Sequence, residues 1–224
     1  MTKEEYFGDW SKVINLKEAD RILRKLSASK HIICPQVKDI FKAFHLCSLR
    51  DLRVVIIGQD PYNDMYKGVP RATGLAFANP PGTPEDSYSP SLSVLTESVI
   101  DFTKPHGVIN FDPSLKMWEK QGVLLLNSAL SCQKGMAGSH TLLWRPFIKN
   151  LLTNLSWYMP GIVYVLMGSQ AQTLESYINK KNNYIFSTKH PSWYAREHQR
   201  MPSDIWRSIN DILISQNGYG IKWF

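Results

Sequence analysis

The spacing of apolar residues changes character along the chain. From Lys17 to Ser29, Ala19, Ile22 and Leu23 fall on one helical face, and Pro35 stands where a first helical turn begins before Val37, Ile40, Phe41 and Phe44. The period then shortens. The run from Arg53 to Ile57 is β-branched, of strand length, and ends at Gly58; the same grammar recurs from Gly122 to Leu126, Ile162 to Leu166 and Tyr184 to Ser187. These segments predict four short strands, apolar on both faces. Helical spacing fills Ser91 to Phe102, Leu142 to Tyr158, Ser169 to Asn179 and Ser203 to Ser215. Strands alternating with helices predict an α/β fold, a central four-stranded parallel sheet flanked by helices on both faces. Residues 63–88 are proline-rich and lack a period, which marks a long functional loop rather than a linker. With no repeat and no low-complexity tract, residues 1–224 read as a single domain: a helical part over 1–50, and 51–224 carrying the segments that matter below.

Composition narrows the class. The chain has 224 residues, 43% of them hydrophobic, with only 13 Gly and 13 Pro, which fits a globular protein and excludes disorder or a collagen-like repeat. The longest apolar runs, Val123 to Leu126 and Ile162 to Met167, fall far short of the ~20 residues a bilayer span needs. The opening MTKEEYFGDW lacks a basic and then apolar leader, so Asn154-Leu-Ser156 is a sequon without secretory context, and an intracellular, cytoplasmic protein is expected. The short stretch before the first predicted helix leaves little room for a partner-binding tail. Cys34, Cys47 and Cys132 are too scattered for a disulfide framework, a Cys-x-x-Cys zinc site or a four-cysteine iron–sulfur cluster, and read as small buried residues. The 26 Lys+Arg against 19 Asp+Glu leave +7, which raises a polyanionic partner as a hypothesis.

In open α/β sheets, ligands bind beyond the carboxyl ends of the strands. There the sequence places Gly58-Gln-Asp-Pro-Tyr-Asn63, then Asn127-Ser128, Gly168-Ser169-Gln170 and His190-Pro-Ser192. No phosphate loop, dinucleotide fingerprint, His-Glu-x-x-His or Gly-x-Ser-x-Gly elbow is present. What remains is one carboxylate, Asp60, one carboxamide, Asn127, and one imidazole, His190, each at a different strand end. Singly, each has a bland reading: Asp before Pro forms turns, Asn follows strands in loops, and a lone His is more often structural than catalytic.

Together with their neighbours they resemble a known set. Gly58-Gln-Asp-Pro-Tyr62, Ala72-Thr-Gly-Leu-Ala-Phe77, Gln121-Gly-Val-Leu-Leu-Leu-Asn127 and His190-Pro-Ser192 resemble the signature motifs of family 1 uracil-DNA glycosylase, in that family's order and spacing. Weaker matches are Pro90-Ser91-Leu92, Ser139-His140 with Trp144, Gly168-Ser169-x-Ala171-Gln172 and Ile221-x-Trp223. The resemblance implies a monomeric, cofactor-free and metal-free enzyme that removes uracil from single- and double-stranded DNA in base excision repair, with a proteinaceous inhibitor as a further partner class. It implies that Asp60 orients or deprotonates water and stabilises a cationic sugar, and that a neutral His190 donates to uracil O2. Asn127 then reads N3–H and O4, Phe77 stacks on the base, Tyr62 fills the space of a thymine methyl, and Gln59 lines the pocket with its backbone. Without the motifs, Phe77 and Tyr62 read as core packing. Since such a pocket cannot reach a paired base, the nucleotide must be flipped out. Pro90, Ser91, Gly168, Ser169, Pro191 and Ser192 match the family's phosphate-contacting loops, and Ser91 and Ser169 also read as helix N-caps.

The sequence departs from the family at two points. Asn63 stands where the family has His after Gln-Asp-Pro-Tyr. After His190-Pro-Ser192 the family continues Pro-Leu, the Leu filling the vacated stack, whereas this chain has Trp193-Tyr194. Tyr194 falls at the Leu position and Trp193 is an equal physical candidate, because bases stack on rings. Lys189, Arg196, His198 and Arg200 surround this loop and add phosphate attraction.

Overall fold

The computed structural model describes residues 2–106 and 110–224. Four strands, β1 (Val54–Gly58), β2 (Val123–Asn127), β3 (Val163–Met167) and β4 (Tyr184–Thr188), form one parallel sheet in the order β2-β1-β3-β4. Val54 lies opposite Val123 and Val163, Gly58 opposite Asn127, and Met167 opposite Thr188. Parallel register brings all four carboxyl ends to one edge of the sheet, so Asp60, Asn127, Gly168 and His190 emerge at the same end.

Every residue of β1, β2 and β3 is buried, which requires cover on both faces. Buried residues of five helices share one hydrophobic core with the strands: α1 (Leu16–Ser27), α2 (Pro90–Thr103), α3 (Thr141–Tyr158), α4 (Pro191–Arg196) and α5 (Asp204–Asn217). α1 packs on α3, while α2 packs on α4 and α5. In α1 the Asn15 side chain caps the first turn, and Ala19, Ile22 and Leu26 are the buried stripe. Trp118, Trp206 and Trp223 pack ring on ring with centroids 4.8 to 5.6 Å apart, which ties the C-terminal segment to the core.

Several expected elements take another form. The helix expected from Ser169 to Asn179 is a single turn, Ser169–Gln172, followed by a 3-10 turn at Glu175–Tyr177. Thr173 Oγ1 donates to the Gln170 carbonyl, and this local bond competes with continuing the helix. The helical pattern after Pro35 splits into a 3-10 turn, Val37–Asp39, and a short helix, Lys42–Leu46. β4 is not buried on both faces: it is the outer strand, with Tyr184 and Ser187 exposed. A helix also starts earlier than expected, at Lys3–Phe7, where Thr2 and Glu5 form a capping box. The three cysteines are buried and free, with Cys34 opposite Cys132 in a two-residue antiparallel ladder. Among the described residues, no helix is long and apolar enough to cross a membrane.

Candidate active site

β1 ends where the chain can approach its neighbours only without a side chain. A Cβ on Gly58 would lie 2.6 Å from Asn127 Oδ1 and 2.8 Å from Phe77 Cζ, so glycine here lets the carboxamide and the ring close on the strand end. Asn127 is 8% exposed, and among the described residues no group hydrogen-bonds its carboxamide. A buried amide with donor and acceptor both open is a binding group in waiting. Phe77 reaches this position with a left-handed backbone, φ +66°, a conformation that costs energy in a non-glycine residue and clusters at functional sites. The segment before it is fixed to the open edge of β2, the Ala76 N–H donating to the Leu125 carbonyl at 3.1 Å.

Asp60 follows two residues after β1. Its Oδ2 accepts from the Gly138 N–H at 2.5 Å. Burial raises its carboxyl above the ordinary aspartate value, and the Gly138 bond opposes that by favouring the charged form. Gly138 sits in a loop held at both ends. Gln133 N–H donates to Ser139 Oγ, and Ser131 Oγ joins His140 Nδ1 at 2.9 Å and the Trp144 indole N–H at 2.8 Å.

His190 is the N-cap of α4. Its Nδ1 accepts from the Ser192 N–H at 3.2 Å and contacts Ser192 Oγ at 2.8 Å. A ring nitrogen that accepts a backbone N–H carries no proton, so the neutral imidazole holds its hydrogen on Nε2. Burial first, and then the Arg196 charge, lower its pKa to about 4. The imidazole is therefore an uncharged donor at neutral pH. Gly168 backs it: with φ +93°, a Cβ there would stand 2.8 Å from His190 Cβ. The His190 and Phe77 rings lie 5.6 Å apart at 45°.

Asp60, Pro61, Tyr62, Ala72, Leu75, Phe77, Ser91, Asn127 and His190 line one small pocket. The Tyr62 hydroxyl donates to the Phe77 carbonyl at 2.8 Å, which joins two of its walls. Gln59 stands outside the lining; its carbonyl accepts from Ser128 Oγ at 2.6 Å and Ala129 N–H at 3.1 Å, which locks the ends of β1 and β2 together. Ser91 is buried in the first turn of α2, whose N-cap is Ser89 and whose first residue is Pro90. Ser169 is exposed at the first position of its turn, with Gly168 as the cap. The alternative reading of both serines as caps is thus corrected: neither occupies the cap, because the chain turns one or two residues earlier. Asn63 accepts the Gly135 N–H on its backbone carbonyl at 2.8 Å.

The two wedge candidates differ in placement. Tyr194 is 8% exposed, packs in the core and shares a 3.0 Å hydrogen bond with Thr188 Oγ1. Trp193 is only half-buried, and Lys189 Nζ lies 3.3 Å from its ring centroid. Of the basic residues near the loop, Arg200 pairs with Asp101 at 3.0 Å, Arg196 donates to Ser192 Oγ at 3.2 Å, and His198 is exposed. The sequence pattern does not single out Gly138 or Ser89. A loop N–H leaves no mark on the sequence; for Ser89, a serine just before Pro is a cap signal that was available. Chemically, the pocket offers a carboxylate, a neutral imidazole donor and an open carboxamide between aromatic walls. Among the described residues no group of three His, Cys, Asp or Glu is placed to hold a metal ion.

Comparison with known proteins gives a consistent result. Residues 44–214 match the family model described as the uracil DNA glycosylase superfamily. A uracil-DNA glycosylase of Buchnera aphidicola is 36% identical over 206 residues, covering 91% of this chain and 89% of its relative. One from Yersinia pestis is 38% identical over 202 residues, covering 88% and 82%. Among solved structures, mimivirus uracil-DNA glycosylase superposes with a TM-score of 0.77 at 23% identity over 96% of this chain and 89% of that one. A variant of the mimivirus protein in complex with UGI gives 0.83 at 24% identity over 100% and 88%.

Proposed function

The chain belongs to the uracil-DNA glycosylase superfamily, and on that premise we propose how its pocket divides the labour of the reaction. The family's members excise uracil from DNA by hydrolysing the N-glycosidic bond and leaving an abasic site, and this chain is such an N-glycosyl hydrolase of base excision repair. As the bond breaks, its electron pair departs with the base and spreads to uracil O2 while the sugar gains oxocarbenium character, so charges of opposite sign must be stabilised close together. His190 Nε2–H donates to O2. Asp60 faces the sugar, stabilises the cation and orients or takes a proton from the attacking water, whose oxygen becomes the hydroxyl of the abasic site. A neutral imidazole suits this task, because it meets the growing oxyanion without having to lose a proton first.

Asn127 reads the base. Its oxygen accepts from N3–H and its amide donates to O4, a pattern cytosine reverses. Phe77 stacks on the ring and Tyr62 occupies the space of a 5-methyl group. The unpartnered, buried carboxamide of Asn127, closed in by Gly58, is the observation that carries this reading. Asn127→Asp replaces the donor to O4 with an acceptor or a hydroxyl. It should lose uracil excision by about a hundredfold or more and gain measurable cytosine excision on a single-stranded oligonucleotide. Undiminished uracil activity in that variant would dismiss the assignment.

The base reaches the pocket by flipping, gripped through phosphates at Ser91, Ser169, Ser192 and the neighbouring Pro90 and Gly168. Trp193, nearer the surface than Tyr194, is the better placed wedge. Substrates are uracil-bearing single and double strands, the enzyme works as an intracellular monomer, and a protein inhibitor of the UGI kind is a fitting partner for the same groove.

A further inference from the structure

The pocket wall formed by Tyr62 is held from behind by a residue that touches no substrate. The Tyr62 hydroxyl gives its only hydrogen to the Phe77 carbonyl, 2.8 Å away, so it can meet Ser89 Oγ, 2.6 Å away, only as an acceptor. Ser89 is itself fixed. Its N–H donates to Asn79 Oδ1 at 3.0 Å, an oxygen that also lies 3.1 Å from Ser89 Oγ, farther than the Tyr62 hydroxyl; Ser89 is 4% exposed and is the N-cap of α2, the helix whose first turn carries Ser91 into the pocket lining. Three pocket elements therefore meet at one phenol oxygen: the Asp60 loop through Tyr62, the strained Phe77 backbone, and the start of α2.

We propose that Ser89 is a positioning residue for base selectivity, donating to the Tyr62 hydroxyl so that the ring cannot tilt out of the space a thymine methyl would need. The inference rests on the reading of Tyr62 as the group that excludes thymine. A phenol held at one point can pivot about it; held at two points, on Phe77 and on α2, it cannot. Loss of the Ser89 hydroxyl leaves Tyr62 able to yield to a methyl group without leaving the pocket, so selectivity should fall further than uracil turnover.

The test is the ratio of thymine to uracil excision, measured in single turnover on matched oligonucleotides for Ser89→Ala, Ser89→Thr, Tyr62→Phe and the Ser89→Ala/Tyr62→Phe double variant, with Tyr62→Ala as the control. Tyr62→Ala should raise the ratio by about a hundredfold. Ser89→Ala should raise it by about tenfold, the size expected from one buried hydrogen bond, while Ser89→Thr, which keeps both hydroxyl and cap, stays within about twofold of wild type. The double variant should be no less selective than the worse single variant, since both break the same bond. A residue that merely caps α2 would lower the melting temperature, leave the ratio unmoved and add independently to Tyr62→Phe; that result overturns the proposal while Tyr62→Ala still behaves as expected. No change in the ratio for Tyr62→Ala would overturn the reading of Tyr62 and the inference with it.

Discussion

Burial acts on His190 and Asp60 alike, yet the proposed mechanism needs opposite outcomes of it. Removal from water disfavours charge on both, lowering the imidazole to about 4 and raising the carboxyl above its usual range. The imidazole is left uncharged, and the Gly138 N–H works against the rise of the Asp60 carboxyl by favouring its charged form. The pH profile follows with a definite sign. Activity should fall on the acid side as Asp60 takes up its proton, at a pH above the 3.8 of an unperturbed aspartate. Between pH 5 and 8 His190 stays neutral, so kcat/KM should show no inflection near 6.5. An inflection there that vanished in a His190 variant would mean that the imidazole titrates in the working range. At this scale the strand ends alone singled out Asp60, Asn127 and His190, the motif resemblance added Tyr62 and Phe77, and the fold brings these five side chains into one pocket lining. The sequence was silent on Gly138, whose contribution is a backbone N–H that any residue possesses.

The outer edge of β2 shows what an element needs in order to carry the site. Leu125 presents its N–H and carbonyl away from β1, and both are satisfied: Ala76 donates to the carbonyl, and Glu119 Oε1 accepts the N–H at 3.1 Å. Glu119 is 1% exposed, and burial raises its carboxyl well above the usual carboxylate value, which favours the protonated form. Because the unfolded chain releases that proton at lower pH than the folded one, the contribution of Glu119 to stability is full below about 4.5 and declines as pH rises toward the folded value. Glu119→Gln keeps an acceptor for Leu125 and has no proton to lose. The variant should therefore match wild type near pH 4 and become the more stable of the two as pH rises, read as melting temperatures at pH 4 and pH 8. A variant less stable than wild type at pH 8 would place the value of Glu119 in its charge. The main strands and long helices were legible because their periods are set by burial on one face or two. The helix expected over 169–179 was not, because the same apolar spacing buries Ala171, Leu174 and Ile178 from a single helical turn and a 3-10 turn.

On the scale of the whole molecule, the parallel register converts residues more than sixty positions apart in sequence into one pocket, since each strand delivers its last residue to the same edge. The net charge of +7 is not all available to a polyanion. Arg21, Arg24, Arg50 and Arg200 are paired with carboxylates, while among the described residues Lys189 and Arg196, beside the His190 loop, have none. Their positive charge thus lies beside the pocket that holds Asn127 and His190, where the proposed reading brings a DNA phosphate. The same architecture accounts for what the three cysteines do here: they fill space, and the catalysis assigned to this chain uses none of them. We propose that the Asp60 carboxylate, two residues past the end of β1, drives hydrolysis of a uracil–deoxyribose bond. This is tested most directly with an oligonucleotide carrying one deoxyuridine, incubated with wild type or Asp60→Asn and then treated with alkali to cut at abasic sites. Wild type should yield a single cut at the uracil position, and Asp60→Asn should bind the same strand but yield product at least about a hundredfold more slowly. Bound but uncut DNA with the wild-type protein, or equal rates for the two proteins, would rule out Asp60 as the group that drives the reaction.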